Sequence, residues 1–139
     1  MNIGRFMMAV GGVWLVRVIL NTAFYTQIAM QEYQRMTAAH PGLFREVIPA
    51  YFAVDLIFAV VFTFLLAKVG VTLGKGIKGG VVLGVIVAIL SAVLGNLYGY
   101  FTFTFLSLNL VIMESAFHVV AYSIEGAVGS LLLKIQATS

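Results

Sequence analysis

Four stretches of the chain, roughly 6–29, 48–69, 80–101 and 109–133, are mostly apolar and match the length of about 20 residues that a helix needs to cross hydrocarbon. Inside a bilayer every backbone amide must find its partner within the protein, which restricts such stretches to helices. Composition agrees: of 139 residues, 62% are hydrophobic and only 9% charged, with a mean hydropathy of +1.08. A soluble domain carries about 25% charged residues. A chain this short has too little interior to hide such an excess from water. The expectation is an all-α bundle of four transmembrane helices, a single integral membrane domain with short loops, no soluble domain and the lipid bilayer as its surroundings. A net charge of +3 with scattered basic residues provides no patch for nucleic acid. The absence of cysteine rules out disulfides and thiolate metal sites.

The first stretch has a basic residue ahead of it, Arg5, as a secretory signal would. Arg17 interrupts its apolar run, however, and no small-x-small cleavage site follows, so a retained helix is expected. Pro49 suits the first turn of the second helix, where its missing N–H costs nothing. With the N-terminus inside, Arg5, Lys68, Lys75, Lys78 and Lys134 all fall on the inner side. The outer side then holds Arg35 and Arg45, accompanied by Glu32 and Glu46. The positive-inside rule gives both termini in the cytoplasm, with the cell's inner (cytoplasmic) membrane as the expected location.

The outer connection 30–47, "MQEYQRMTAAHPGLFREV", begins with good helix formers, so the first helix is expected to continue past the bilayer until His40, Pro41 and Gly42 turn the chain. Tyr98, Tyr100, Phe101, Phe103 and Phe105 read as an interfacial aromatic belt. In the basic inner loop 70–79, Gly74, Gly76 and Gly79 satisfy G-x-G-x-x-G. That pattern binds dinucleotides only between a strand and a helix. Here it joins two membrane helices and reads as a basic turn near anionic headgroups.

In the third helix Gly80, Gly84, Ala88, Ala92 and Asn96 recur every four residues, and Gly95 and Gly99 form a second small pair beside them. In lipid, small residues let backbones approach closely, so this helix is expected to be the close-packing element or part of a subunit interface.

Ionisable residues interrupt the fourth stretch. At 100° per residue, Glu114, His118 and Glu125 fall within about 40° of one another, with Tyr122 at the edge of that face. The first helix carries Arg17, Asn21 and Tyr25 at i, i+4 and i+8, with Trp14 one turn earlier, and Asp55 lies about two turns into the second. A rise of 1.5 Å per residue puts Arg17 about 16 Å and Glu125 about 12 Å from the inner surface, with Asp55 and His118 at about 20 Å. An unpaired charge near the bilayer centre costs at least about 2.5–3.5 kcal/mol. Arginine cannot escape by deprotonating. Arg17 is therefore expected to pair with Glu125, with Asp55, or with both. The remaining carboxyls and His118 form the kind of titratable chain that proton relays use.

Metal and cofactor sites are not expected. Glu114 and His118 stand at i, i+4, whereas carboxylate-bridged bundles use Glu-x-x-His on two helices. Ser115, Ser123 and His40 lack the partners a nucleophile needs.

The stretches "AHPGLFREVIP", "GKGIKGGVVLGVIVAIL" and "SIEGAVGSLLLKI" resemble uncharacterised small bacterial four-helix integral membrane proteins. The resemblance rests on a loop arginine, here Arg45, and on a G-[IL]-x-x-G-x-x-x-G entry to the third helix, here Gly76, Ile77, Gly80 and Gly84. It implies the fold and brings no activity. Two functions stay open. One is proton-coupled binding or transport of an ion or small ligand at Arg17, Asn21, Asp55, Glu114, His118 and Glu125. The other is a non-catalytic accessory subunit, within a homo-oligomer or larger membrane complex, whose polar cluster is structural. An enzyme is the weaker reading.

Overall fold

The structure is a computed structural model that describes residues 2–43, 48–74 and 76–134. Arg45, Glu46 and Lys75, which entered the charge and motif arguments, lie outside the described residues. Among the described residues, six α-helices make up the fold: α1 (Ile3–Ala23), α2 (Met30–Ala39), α3 (Ile48–Leu73), α4 (Ile77–Ala88), α5 (Leu94–Thr102) and α6 (Leu108–Leu133). Two π-helical segments, Phe24–Ile28 and Ile89–Val93, continue α1 and join α4 to α5. The result is four helical runs long and apolar enough to cross a membrane: Ile3–Ile28, Pro49–Gly70, Ile77–Thr102 and Leu108–Leu133. The connection between the second and third runs is tighter than the sequence suggests, because α3 runs to Leu73 and α4 starts at Ile77.

The helix starts are capped by local chemistry. Asn2 accepts from the Arg5 amide at 3.2 Å, and Ser107 accepts from the Leu110 amide at 3.1 Å, each satisfying an amide that has no partner within its helix. Gly76, with φ +57°, lets the chain reverse between α3 and α4, in a conformation other residues reach only with strain. Both π segments contain a hydroxyl that bonds back to the carbonyl four residues earlier: Thr26 to Thr22 and Ser91 to Val87, each at 2.7 Å. Such back-bonding competes with the helical ladder and loosens it locally. After the first π segment the chain bends at Ala29 and runs on as α2, the expected extension of the first helix.

The four runs pack in the cyclic order α1, α3, α4, α6 and alternate in direction. A core of Val10, Val13, Ala59, Phe62, Leu66 and Leu83 fills the half nearer Asn2 and Lys134. Phe24, Ala29, Met36 and Leu110 form a second cluster at the opposite end, under α2. Around this interior, Met7, Leu15, Ile19, Ile57, Val61, Leu90, Phe101, Ile112 and Val120 are exposed. A continuous apolar surface of that kind suits hydrocarbon and would aggregate in water. The fold is that of a multi-pass membrane protein.

The closest approach is between α4 and α6. A Cβ added to Gly80 would collide with the Gly126 carbonyl and the Ser130 hydroxyl, and one added to Gly126 would collide with the Gly80 carbonyl. A Cβ on Gly84 would strike the Tyr122 carbonyl, and Ala88 is fully buried one turn further on. The small face of the third run therefore meets a matching small face, Gly126 and Ser130, on α6. The stripe ends there. Beyond Ala88 the π segment turns the helix, Ala92 is only half-buried, and a Cβ on Gly95 would meet nothing within 4 Å. Gly99 faces only the Leu106 side chain, across the turn into α6. Among the described residues, the second glycine pair thus joins no helix–helix seam. Asn96, at the far end of the same stripe, instead reaches the Ser115 hydroxyl at 3.4 Å.

Candidate functional site

Arg17 lies in the interior of the bundle with 8% of its surface exposed, so its guanidinium cannot be solvated by water and must be satisfied by the protein. Three helices contribute. Its Nε donates to Asp55 Oδ1 of α3 at 2.7 Å, and its Nη1 donates to Glu125 Oε1 of α6 at 3.5 Å. The plane of the group is covered by aromatic faces, with Cζ 3.8 Å from the Phe58 ring centroid and 5.1 Å from that of Tyr122. A desolvated cation over an aromatic face gains about 2 kcal/mol. Both acids that the sequence offers to Arg17 reach it, in a shared triad with unequal arms.

Asn21 strengthens the Asp55 arm. Its amide lies 3.4 and 3.5 Å from the two Asp55 oxygens, so Asp55 is held by two donors from α1. Trp14, one turn from Arg17, ties the same two helices by donating its indole N–H to the Phe52 carbonyl at 3.3 Å. Glu125 is treated differently. It is fully buried, its one hydrogen bond among the described residues is the long arm to Arg17, and its Oε2 has no hydrogen-bond partner among them. One guanidinium therefore faces two carboxyls, and one carboxyl oxygen has no hydrogen-bonding partner.

The other two ionisable residues of α6 do not join this cluster. Glu114 sits near the α2 end and accepts a hydrogen bond from the Tyr33 hydroxyl. Burial first, and then the Glu114 carboxylate, hold the Tyr33 phenol well above its ordinary range, so it stays protonated and donating. His118 Nδ1 is 2.7 Å from the Glu114 backbone carbonyl; since a carbonyl only accepts, that nitrogen carries a proton. The imidazole stands edge-on to Phe117 and Tyr122, with centroids 5.1 and 5.5 Å away. Glu114, His118 and Glu125 share a face as expected, but the face is divided between two sites with Tyr122 and His118 between them.

Tyr25 leaves the stripe on which the sequence places it. The π segment that begins at Phe24 breaks the i, i+4 register, so Phe24 is buried and Tyr25 turns toward Tyr33 and Phe117. Tyr33 and Phe58 are the residues that sequence reading missed. Phe58 stands at i+3 from Asp55, on the same face of α3, and an aromatic one turn from a buried acid was the available signal. Tyr33 had a weaker one, as an aromatic in an otherwise polar helix. Among the described residues, no three His, Cys, Asp or Glu side chains converge as metal ligands.

Two open grooves lie at the α2 end, of about 470 and 230 Å³; neither is lined by Arg17, Asp55 or Glu125. Comparison with known protein families, curated proteins and solved structures gives no match.

Proposed function

We propose that the protein is a proton-handling membrane protein whose exchangeable proton resides in the Arg17–Asp55–Glu125 cluster, serving the transport of an ion or small ligand. The observation that supports this reading is the charge count. With all three groups ionised, the cluster has a net charge of −1 in a setting where an uncompensated charge costs at least about 2.5–3.5 kcal/mol. One proton cancels it. Glu125 is the holder, because Asp55 already has the short bond to Arg17 and a second donor in Asn21, while Glu125 Oε2 has no partner. Arg17 then acts as a fixed counter-charge to Asp55, and His118 with Tyr122 lies between the cluster and the Glu114 end.

In this reading the end bearing Arg5, Lys68, Lys78 and Lys134 faces the cytoplasm of a bacterial inner membrane, as the positive-inside rule requires. The test is a reconstitution. Vesicles containing the purified protein and an internal pH dye should acidify on an imposed gradient faster than empty vesicles, and Glu125→Gln should abolish the difference. Equal rates for the wild type and Glu125→Gln would reject the assignment.

A further inference from the structure

The larger groove has no role in the buried cluster. It opens at the α2 end with a volume of about 470 Å³ and is lined by Tyr25, Met30, Tyr33, Gln34, Thr37 and Ala38. That volume falls within the roughly 300–1,000 Å³ of small-molecule sites. Its chemistry is one-sided. Tyr25 and Tyr33 meet at 75° with ring centroids 5.5 Å apart, forming an aromatic corner, and Phe117 stands 6.5 Å from Tyr25 behind it. Glu114 lies behind the corner, where it accepts a hydrogen bond from the Tyr33 hydroxyl. Among the described residues no cationic side chain lines the groove, since Arg35 turns to Glu32 at 3.1 Å in the neighbouring one.

We infer that this groove binds a soluble organic cation of the quaternary ammonium or phosphonium class, held by the Tyr25 and Tyr33 faces, with the Glu114 carboxylate behind them as counter-charge. The negative face of an aromatic ring attracts such cations within about 6 Å of its centroid. Donation from Tyr33 to a carboxylate pushes electron density into its ring and strengthens that attraction. The polarizable Met30 thioether suits the apolar arms of such a ligand. A hydrated inorganic ion would find too few oxygens here to replace its shell. Gln34, Thr37 and Ala38 belong to the polar helix beyond the membrane run, so the groove opens to the aqueous side, which favours a soluble ligand over a lipid headgroup.

The site is separate from the Arg17 cluster and stands or falls independently of it. The test is titration calorimetry of the full chain in non-ionic detergent with tetraphenylphosphonium and with tetraphenylborate, a probe of the same shape and opposite charge. Saturable binding of the phosphonium alone is expected. Glu114→Gln and Tyr25→Ala should each weaken it about tenfold, the size of one such contact. Tyr25→Phe, which keeps the ring, should retain most of the affinity and guards against simple misfolding. Glu125→Gln should leave binding unchanged. Equal binding of the borate, no effect of Glu114→Gln, no saturable phosphonium binding, or occupancy by phosphatidylcholine with no soluble cation bound would each overturn the inference.

Discussion

Arg17 has two carboxylate partners at different distances, and the difference has measurable consequences. Breaking a buried ion pair by removing one partner costs about 3–5 kcal/mol. Arg17→Leu should therefore destabilise the bundle by about that amount, read as a loss of thermal stability in detergent. Asp55→Asn, which gives up a 2.7 Å bond, should cost more than Glu125→Gln, which gives up a 3.5 Å one, and the latter should stay within about 1 kcal/mol of the wild type. Equal losses would mean that the two arms are equivalent. Tyr33 supplies a pH prediction with a definite sign. Its proton is held more tightly in the folded state, so its contribution is fully present below the ordinary tyrosine value of about 10 and is lost as pH rises beyond it. Unfolding midpoints should fall more steeply for the wild type than for Tyr33→Phe above that pH, and parallel curves would contradict the assignment. At this scale the sequence was informative wherever cost made it so: an arginine in hydrocarbon demands an acid, and only a few acids were in reach. It was silent on Phe58 and Tyr33, because aromatic residues are common in membrane helices and neither carries a charge that must be compensated.

Helix contacts separate two glycine pairs that look alike in the sequence. Gly80 and Gly84 lie against α6 backbone, where any side chain collides, while Gly95 meets nothing within 4 Å. Gly84→Leu should cost about 3 kcal/mol by overpacking and loosen the α4–α6 seam. Gly95→Ala should stabilise by about 0.5–1 kcal/mol, because it removes backbone freedom at no steric cost. Melting temperatures of the two variants should move in opposite directions; a loss of stability in Gly95→Ala would show that Gly95 faces a contact made outside the single chain. Of the i, i+4 repeat, Gly80, Gly84 and Ala88 lie on the α4–α6 seam, Ala92 is only half-buried, and Asn96 reaches α6 through the Ser115 hydroxyl. The repeat assumes an unbroken 3.6-residue period, which the π segment at Ile89–Val93 interrupts. The same cause moved Tyr25 off the Arg17 stripe. Ser91 and Thr26, whose hydroxyls bond back to i−4 carbonyls, were the only local hints, and such residues also occur in regular membrane helices.

Across the whole molecule, the four spanning runs were the most legible feature, since hydrocarbon thickness and backbone satisfaction admit few alternatives. The site was legible in part. Periodicity placed Glu114, His118 and Glu125 on one face, but it contains no information on how far apart along the helix their partners from other helices would lie. Orientation is testable because the chain has no cysteine. Single cysteines at the exposed positions Ala39 and Lys78 should react with an impermeant maleimide from opposite sides of intact cells, with Ala39→Cys labelled from outside. Labelling of Lys78→Cys from outside would invert the topology. A buried carboxyl that holds an exchangeable proton has a signature of its own. Infrared difference spectroscopy on reconstituted protein, stepped between acidic and alkaline buffer, tests for it most directly. A protonated-carboxyl carbonyl band that appears with acid and is absent in Glu125→Gln is expected; a band that is missing in the wild type, or that survives in Glu125→Gln, would contradict the assignment of the proton to Glu125.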